Sequence, residues 1–335
     1  MSNTIKKLLL FILPLPALYA IAVIAMSMVQ YGDTNLMKIA SRNPVQPGEF
    51  GFTLERLAEV ETFRDIDILF LGSSHCYRTF DTGFFSENGL KTFNLGTTGQ
   101  TPLNGFYLMK RHFNRLRPQL VVIELYYKVM DRDGLESLYD LSINSTYSPE
   151  MLEMALSINS PHAINDVLGR FASDKLDVTP KIEQVDIDGE LYVPGGYVRY
   201  TKMPAPEELQ HLNDTTAIAK TDWIPAPEQL DYIGKMIEFA HAQGSNVLLL
   251  TKPSPPAIRY SLNDPQEPGR QFQAIAEAYG VDYINYNGLL KYSGELFYDY
   301  EYLNQNGILK FNQTLLDTIV QKNLLPVKKQ LVDGE

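Results

Sequence analysis

The segment DILFLGSSH at residues 67–75 is the most informative part of this sequence for its fold. Its apolar run ends in Gly72, which is typical of a short parallel strand that is buried on both faces. A serine that follows such a strand, where a helix begins, projects its hydroxyl above the edge of the sheet, where free amides stabilise an oxyanion. Ser74 is therefore a candidate nucleophile, although a helix N-cap explains a Gly-Ser-Ser turn equally well.

Downstream of this stretch, short apolar runs alternate with amphipathic segments. The further predicted strands are residues 91–95, 119–125, 245–251 and 281–285, and the main predicted helices are 102–116, 227–243 and 306–322. Strands that alternate with helices form a parallel sheet covered on both faces. The sequence therefore predicts a three-layer α/β/α fold with a mostly parallel five-stranded sheet, whose site lies at the carboxyl ends of the strands.

An insertion at residues 128–225 interrupts this alternation between the third and fourth strands. Residues 150–171 are predicted to be helical, and residues 185–200 are predicted to form a β-hairpin that turns near Pro194-Gly195-Gly196. Two interpretations remain open: the insertion caps the site, or it is a structural embellishment of the domain.

The N-terminus predicts a membrane anchor. Residues 8–29 carry no charge and follow Lys6 and Lys7. As a helix they span about 33 Å, enough for a bilayer core of about 30 Å. Because basic residues stay on the cytoplasmic side, we expect a single-pass protein whose domain lies outside the cytoplasm of a bacterium. The alternative is a cleaved signal peptide, since residues 25–27 (Ala-Met-Ser) loosely resemble a cleavage site.

The predicted organisation has four parts. A cytoplasmic tip and transmembrane anchor occupy residues 1–30, and a linker without clear periodicity occupies residues 31–50. The α/β domain covers residues 51–325, and residues 326–335 form a tail.

Composition excludes several classes of partner. The formal net charge of −11 repels phosphate backbones, so nucleic acid is not an expected partner. The single cysteine, Cys76, excludes an internal disulfide and a cysteine-rich metal site. Since no metal-ligand spacing or phosphate-loop motif occurs, neither a metal nor a cofactor is expected.

Two further motifs follow predicted strands. Asn94 to Thr101 contains Gly96 and Gly99, which let the backbone approach a ligand and turn its amides inward. The alternative is a glycine turn before a helix that is capped by Thr101. Near the C-terminus, Asp299 lies on the loop before the last helix, where it would orient a base at the same sheet edge as Ser74, or simply be a loop residue.

Together these pieces resemble the SGNH/GDSL hydrolase superfamily over residues 65–320. Gly72-Ser73-Ser74 is similar to its first block, Gly99 to the oxyanion glycine of its second block, and Asp299 to Leu303 to its Asp-x-x-His-Leu. The resemblance implies a Ser74 nucleophile, an oxyanion held by the amides of Ser74 and Gly99, and an orienting Asp299.

Three more side chains are candidates for the oxyanion or substrate site: Asn94 and Gln100 beside the second strand, and Lys252 after the fourth. For Lys252, the choice lies between binding an anionic substrate group and a solvated loop position.

The membrane anchor extends the resemblance to the D-alanyl transfer protein of teichoic-acid modification and to SGNH partners of membrane-bound O-acyltransferases. It implies an esterase or O-acyltransferase that acts on acylated cell-envelope glycans.

One departure bears on catalysis: Tyr302 occupies the position of the expected histidine. A phenol with a pKa near 10 is a poor general base at neutral pH. His75 adjoins Ser74, but adjacent side chains usually diverge, which leaves His162 or His211 of the insertion as possible sources of a base. Two hypotheses remain: an esterase or O-acyltransferase, and an inactive descendant that binds glycans or serves as a scaffold.

Overall fold

The computed structural model describes residues 3–31, 34–176, 185–201 and 205–325. The predicted tail at residues 326–335 lies outside the described residues. The strands are β1 Gln30–Tyr31, β2 Thr34–Asn35, β3 Ile68–Leu71, β4 Thr92–Asn94, β5 Leu120–Glu124, β6 Glu190–Val193, β7 Tyr197–Tyr200, β8 Asn246–Thr251 and β9 Asp282–Asn285.

The helices surround one large sheet. They are α1 Asn3–Ile12, α2 Leu15–Met28, α3 Leu36–Ser41, α4 Thr53–Glu59, α5 Ser74–Tyr77, α6 Thr82–Glu87, α7 Pro102–Leu116, α8 Leu135–Asn144, α9 Pro149–Ile158, α10 Pro161–Leu176, α11 Pro206–Asn213, α12 Pro227–Ala242, α13 Pro256–Arg259, α14 Glu267–Tyr279, α15 Tyr286–Leu290 and α16 Gln305–Gln321. Short 3₁₀ turns lie at Val60–Thr62, Tyr127–Val129 and Gly294–Leu296.

The central sheet has five strands in the order β4-β3-β5-β8-β9, and every neighbouring pair is parallel. Successive side chains of a strand point to opposite faces, so the apolar strands supply two cores. One core packs the strands against α7 and α12 and includes Leu69, Leu71, Phe93, Val121, Ile123, Val247 and Leu249. The other packs them against α6 and α16 and includes Ile68, Phe70, Leu120, Val122, Leu248 and Leu250. The predicted three-layer α/β/α fold is confirmed.

The N-terminal segment is helical and apolar. Residues 3–28, which comprise α1 and α2, contain an 18-residue stretch with a mean hydropathy of 2.6 and are long and apolar enough to cross a membrane. A turn at residues 13–14 separates the two helices, because Pro14 cannot donate the backbone hydrogen bond that would continue α1.

The segment after α2 packs on the domain. Met37 and Ser41 of α3 are buried. The Asn43 side chain donates to the carbonyl oxygen of Tyr139 at 3.3 Å and to Asp166 Oδ1 at 3.1 Å. The described part of the predicted linker at 31–50 thus packs against the insertion.

The insertion at 128–225 is built into the domain. Its predicted helix at 150–171 is two helices, α9 and α10, because Asn159 adopts a left-handed φ of +55° just before Pro161 begins the next helix. The predicted hairpin is β6–β7, which pairs antiparallel. The hairpin closes the outer edge of β4, where the Asn94 N–H donates to the Gly195 carbonyl oxygen at 2.7 Å.

Candidate active site

Ser74 lies at the carboxyl end of β3 as the first residue of α5. The turn before it requires a glycine, because Gly72 has φ +153° and a Cβ there would lie 2.9 Å from Glu124 Oε2. Ser73, not Ser74, caps α5, since its Oγ accepts the His75 N–H at 3.3 Å. The Ser74 hydroxyl is therefore not used as the helix cap, and it is only partly buried.

The loop before α16 brings Tyr302 to Ser74. Asp299 Oδ1 accepts the backbone N–H groups of Glu301 at 2.7 Å and Tyr302 at 2.8 Å, which fixes this turn. The Tyr302 hydroxyl donates to Ser74 Oγ at 2.9 Å. Burial raises the pKa of Tyr302 to about 12. The phenol is therefore protonated at neutral pH and acts as a hydrogen-bond donor to the serine.

A cation and aromatic rings surround this pair. The Arg78 guanidinium lies 4.9 Å from the centre of the Tyr302 ring and 5.9 Å from that of Tyr200 in the hairpin. Arg78 also pairs with Glu190 of β6. The hairpin of the insertion thus borders the candidate site, as the capping interpretation requires.

His75 points away from Ser74 into a polar cluster. Its Nε2 lies 2.9 Å from Glu301 Oε2, and Glu301 also accepts from the Tyr126 hydroxyl at 2.5 Å and from Lys128 Nζ at 2.9 Å. Burial, together with the Lys252 ammonium, lowers the pKa of His75 to about 3. His75 is therefore neutral and donates its Nε2 proton to the Glu301 carboxylate.

This His75–Glu301 pair is the feature that sequence reasoning missed. The partners are 226 positions apart, and no local pattern joins them. The one available signal was that Glu301 lies inside the loop already assigned to the site. Of the two histidines considered in the insertion, His162 Nδ1 contacts the Ala40 carbonyl oxygen at 3.3 Å, and His211 lies on α11. Among the hydrogen bonds of the described residues, none joins a histidine to the Ser74 hydroxyl.

Lys252 is buried beneath the site. Its Nζ donates to the Glu301 carbonyl oxygen at 2.9 Å. Its ammonium also interacts electrostatically with Glu124, a buried carboxylate at the end of β5. Burial raises the pKa of Glu124 and lowers that of Lys252, while the opposite charge of each opposes the shift of the other. The solvated loop position predicted for Lys252 is therefore wrong, because the side chain is buried and bonds to the Glu301–Tyr302 loop. Its binding of an anionic substrate group stays a prediction.

Asn94 and Gln100 are occupied by buried backbone contacts. Asn94 Nδ2 donates to the Cys76 carbonyl oxygen at 2.9 Å, and its Oδ1 accepts the Gly96 N–H at 3.0 Å. Gln100 Oε1 accepts the Gly72 N–H at 3.0 Å. Their predicted role in the oxyanion or substrate site stays a prediction. Both join the loop after β4 to the turn that carries Ser74.

Gly99 lies in that same loop with a left-handed φ of +59°. A Cβ at this position would meet the Glu136 carboxyl oxygen at 2.6 Å, so the glycine is needed for close packing against α8. Its predicted role in the oxyanion site stays a prediction.

Tyr302 contacts Ser74 directly, whereas the contacts of Asp299 are with backbone N–H groups of the same loop. The loop carboxylate that contacts a histidine, however, is that of Glu301 and not of Asp299. Within the described part of the chain, no group of His, Cys, Asp and Glu side chains has the arrangement of a metal site.

Comparison with solved structures finds several that are similar to this chain, among them a lipase and two esterases. A GDSL-like lipase from Bacteroides thetaiotaomicron is 16% identical over 82% of this chain and 100% of its own, with a TM-score of 0.42. The esterase EstA from Pseudoalteromonas is 13% identical over 77% of this chain and 99% of its own (TM-score 0.40).

A catalytic mutant of an acetylxylan esterase from Geobacillus stearothermophilus is 12% identical over 77% of this chain and 95% of its own, with a TM-score of 0.38. No protein-family model and no curated protein matches the chain.

Proposed function

We propose that this chain is a hydrolase-like protein that binds an acyl ester at Ser74 and turns it over slowly or not at all. The observation that carries the proposal is the 2.9 Å hydrogen bond that Tyr302 donates to Ser74 Oγ. A serine nucleophile must lose its proton to a base as it attacks. A protonated phenol at that position supplies a proton instead of accepting one.

The size of this effect follows from the pKa of Tyr302. With a pKa of about 12, about one phenol in 10⁵ is ionised at pH 7. General-base assistance is typically worth about 10²–10⁴-fold in rate. The site therefore retains a hydroxyl for binding but lacks most of the rate enhancement that a histidine would give.

The proposed ligand is an acylated glycan of the cell envelope. Tyr302 and Tyr200 flank the Arg78 guanidinium, and aromatic faces of this kind suit the stacking of sugar rings. An N-terminal membrane anchor would hold the site near such a polymer, with a membrane-bound O-acyltransferase as a proposed partner.

Catalysis as an esterase or O-acyltransferase is the second candidate. It is favoured by the position of Ser74, which begins α5 at the end of β3 and is partly exposed. In that case Ser74 Oγ attacks the acyl carbonyl and the ester C–O bond breaks, so that an acyl-enzyme forms and the alcohol leaves with the proton lost by Ser74. Water or a glycan hydroxyl then attacks the acyl-enzyme, which releases the acid or the new ester and returns a proton to Ser74 Oγ.

The two candidates are separated by trapping Ser74 with a fluorophosphonate probe. We expect the native chain to react barely faster than Ser74→Ala, and Tyr302→His to react at least 100-fold faster, because an imidazole there is next to Asp299. Tyr300→His, on the same loop, is the matched control and should gain nothing. Rapid labelling of the native chain at Ser74 would overturn the proposal and establish the catalytic candidate.

A further inference from the structure

A second cavity, distinct from the Ser74 site, lies between α4, α7, α10 and the loop after α8. Its volume is about 650 Å³, within the range of about 300–1,000 Å³ that small-molecule sites occupy. None of its lining residues belongs to the Ser74–Tyr302 cluster. The proposed function therefore leaves this cavity without a role.

The cavity has an apolar side. Leu54 and Leu57 of α4 line it together with Tyr147 and Phe171. The two rings meet edge to face, with centroids 5.0 Å apart and planes at 70°. A hydrocarbon chain that displaces water from these surfaces gains about 25 cal/mol per Å² of apolar area covered.

The lining of the cavity also contains cationic side chains. Arg111 and Lys175 line it. Arg111 Nη1 donates to Ser145 Oγ at 3.2 Å, and in the described part of the chain no carboxylate forms an ion pair with its guanidinium. An arginine that faces an open cavity with only a hydroxyl partner is suited to bind carboxylate or phosphate oxygens.

The acidic residues of the lining are already paired. Glu61 forms an ion pair with Arg115 at 2.7 Å. Asp174 pairs with Arg170 and accepts the Tyr147 backbone N–H at 2.6 Å. Glu61, Glu150 and Asp174 attract the Arg111 guanidinium electrostatically but, among the described residues, form no ion pair with it, so it keeps N–H groups for a ligand.

The cavity also lies close to the end of the apolar N-terminal segment. A Cβ on Gly169 of α10 would be 3.6 Å from Ser27 Oγ, near the C-terminal end of α2. The next residues of α10, Arg170 and Phe171, line the cavity. If α1 and α2 cross the membrane as expected, the cavity is positioned at the level of the outer lipid head groups.

We propose that this cavity binds a single-chain anionic amphiphile, in which a hydrocarbon chain packs against Leu57 and Phe171 and a phosphate or carboxylate head group binds Arg111. The inference is independent of turnover at Ser74. It assigns the protein a second binding site, for lipid-derived molecules that reach it from the bilayer surface.

Calorimetric titration of the full-length chain in phosphatidylcholine nanodiscs tests this, with empty discs as the blank. The probes are octyl phosphate, octanoate, octanol and inorganic phosphate. We expect saturable binding of the two anionic amphiphiles with a Kd at least tenfold lower than that of octanol or inorganic phosphate. Equal binding of inorganic phosphate would show a free-anion site and overturn the proposal, as would no saturable binding of either amphiphile.

Variants locate the site. Arg111→Gln should weaken octyl phosphate at least tenfold and leave octanol unchanged, while Ala58→Trp, which fills the cavity, should weaken both. Arg117→Gln is the matched control, because Arg117 follows α7, is largely exposed and pairs with Asp65. Thermal unfolding of each variant confirms that it is folded. Binding that neither cavity variant weakens would contradict the assignment.

Discussion

A histidine and a tyrosine at position 302 present different groups to the Ser74 hydroxyl. A neutral imidazole offers a lone pair that accepts the serine proton, whereas a protonated phenol donates its own proton. The rest of the loop is unaffected by this difference, because Asp299 Oδ1 binds only backbone N–H groups of Glu301 and Tyr302. One side chain thus separates a catalytic arrangement from a binding one.

Lys252 bonds to the loop of residues 299–303, and its charge interacts with that of the buried Glu124. The stability of the protein should therefore depend on both charges. Lys252→Met leaves Glu124 buried without its counter-charge. We expect the free energy of unfolding to fall by about 3 kcal/mol at pH 8. The loss should be smaller at pH 5, because without Lys252 the pKa of Glu124 rises further and the carboxyl is protonated there.

Urea unfolding of Lys252→Met, Glu124→Gln and the double variant, at both pH values, checks this prediction. The double variant should recover more than half of the loss, since neither charge then remains buried. A double variant as unstable as the sum of the two single ones would show that the charges do not interact.

The positions of the site residues were largely predictable from the sequence, whereas their contacts were not. Ser74 and the 299–303 loop follow elements with clear apolar patterns, so both could be assigned to one sheet edge. The roles of Asn94 and Gln100 depend on backbone groups of the neighbouring turn, which no pattern in their own segments encodes.

Elements with strong periodicity were predicted closely. The helix predicted at 102–116 begins and ends where α7 does, because Thr101 and Asn104 form a capping box and Pro102 occupies the first turn. The segment at 150–171 was harder, since its apolar residues continue across the break at Asn159 and Pro161. There a left-handed residue and a proline override the helical pattern.

The β6–β7 hairpin packs closely against β4, and this packing can be tested by substitution. Gly196 has φ +96°, and a Cβ there would lie 2.4 Å from the Asn94 carbonyl oxygen. Gly196→Ala should therefore push the hairpin off the sheet edge and cost about 2–3 kcal/mol of stability. Urea unfolding measures the loss, and hydrogen exchange at the Asn94 amide reports the broken contact to Gly195.

Gly89→Ala is the matched control for the hairpin. Gly89 has φ +77° but no atom within 4 Å of its Cβ position, so only backbone strain of about 1 kcal/mol is expected. Equal losses for both variants would mean that the hairpin does not pack against β4.

The packing of the N-terminal region against the rest of the molecule is the feature that the sequence predicts least well. Residues 34–50 have no periodicity of their own, yet Asn43 bonds to Tyr139 and Asp166, about 100 or more positions away. Because such contacts join segments far apart in the chain, the sequence predicts a linker here but not that its residues pack on the domain.

The expected orientation of the chain, with its domain outside the cytoplasm, can be tested by cysteine labelling. We expect Asn88→Cys, on the exposed end of α6, to react with a membrane-impermeant maleimide in intact bacterial spheroplasts. Asn3→Cys should react only after lysis, because the basic N-terminus stays inside. The native Cys76 is buried and should give little background. The reverse labelling pattern would contradict an extracytoplasmic domain.

The protonation state of Tyr302 determines whether this side chain can act as a base for Ser74. In protein labelled with ¹³Cζ-tyrosine, the Tyr302 resonance, assigned by its loss in Tyr302→Phe, can be followed by NMR from pH 6 to pH 10.5. With a pKa of about 12, this resonance should stay at the position of a protonated phenol throughout. A transition to phenolate near pH 7–8 would contradict the account, because Tyr302 would then be able to accept the proton of Ser74.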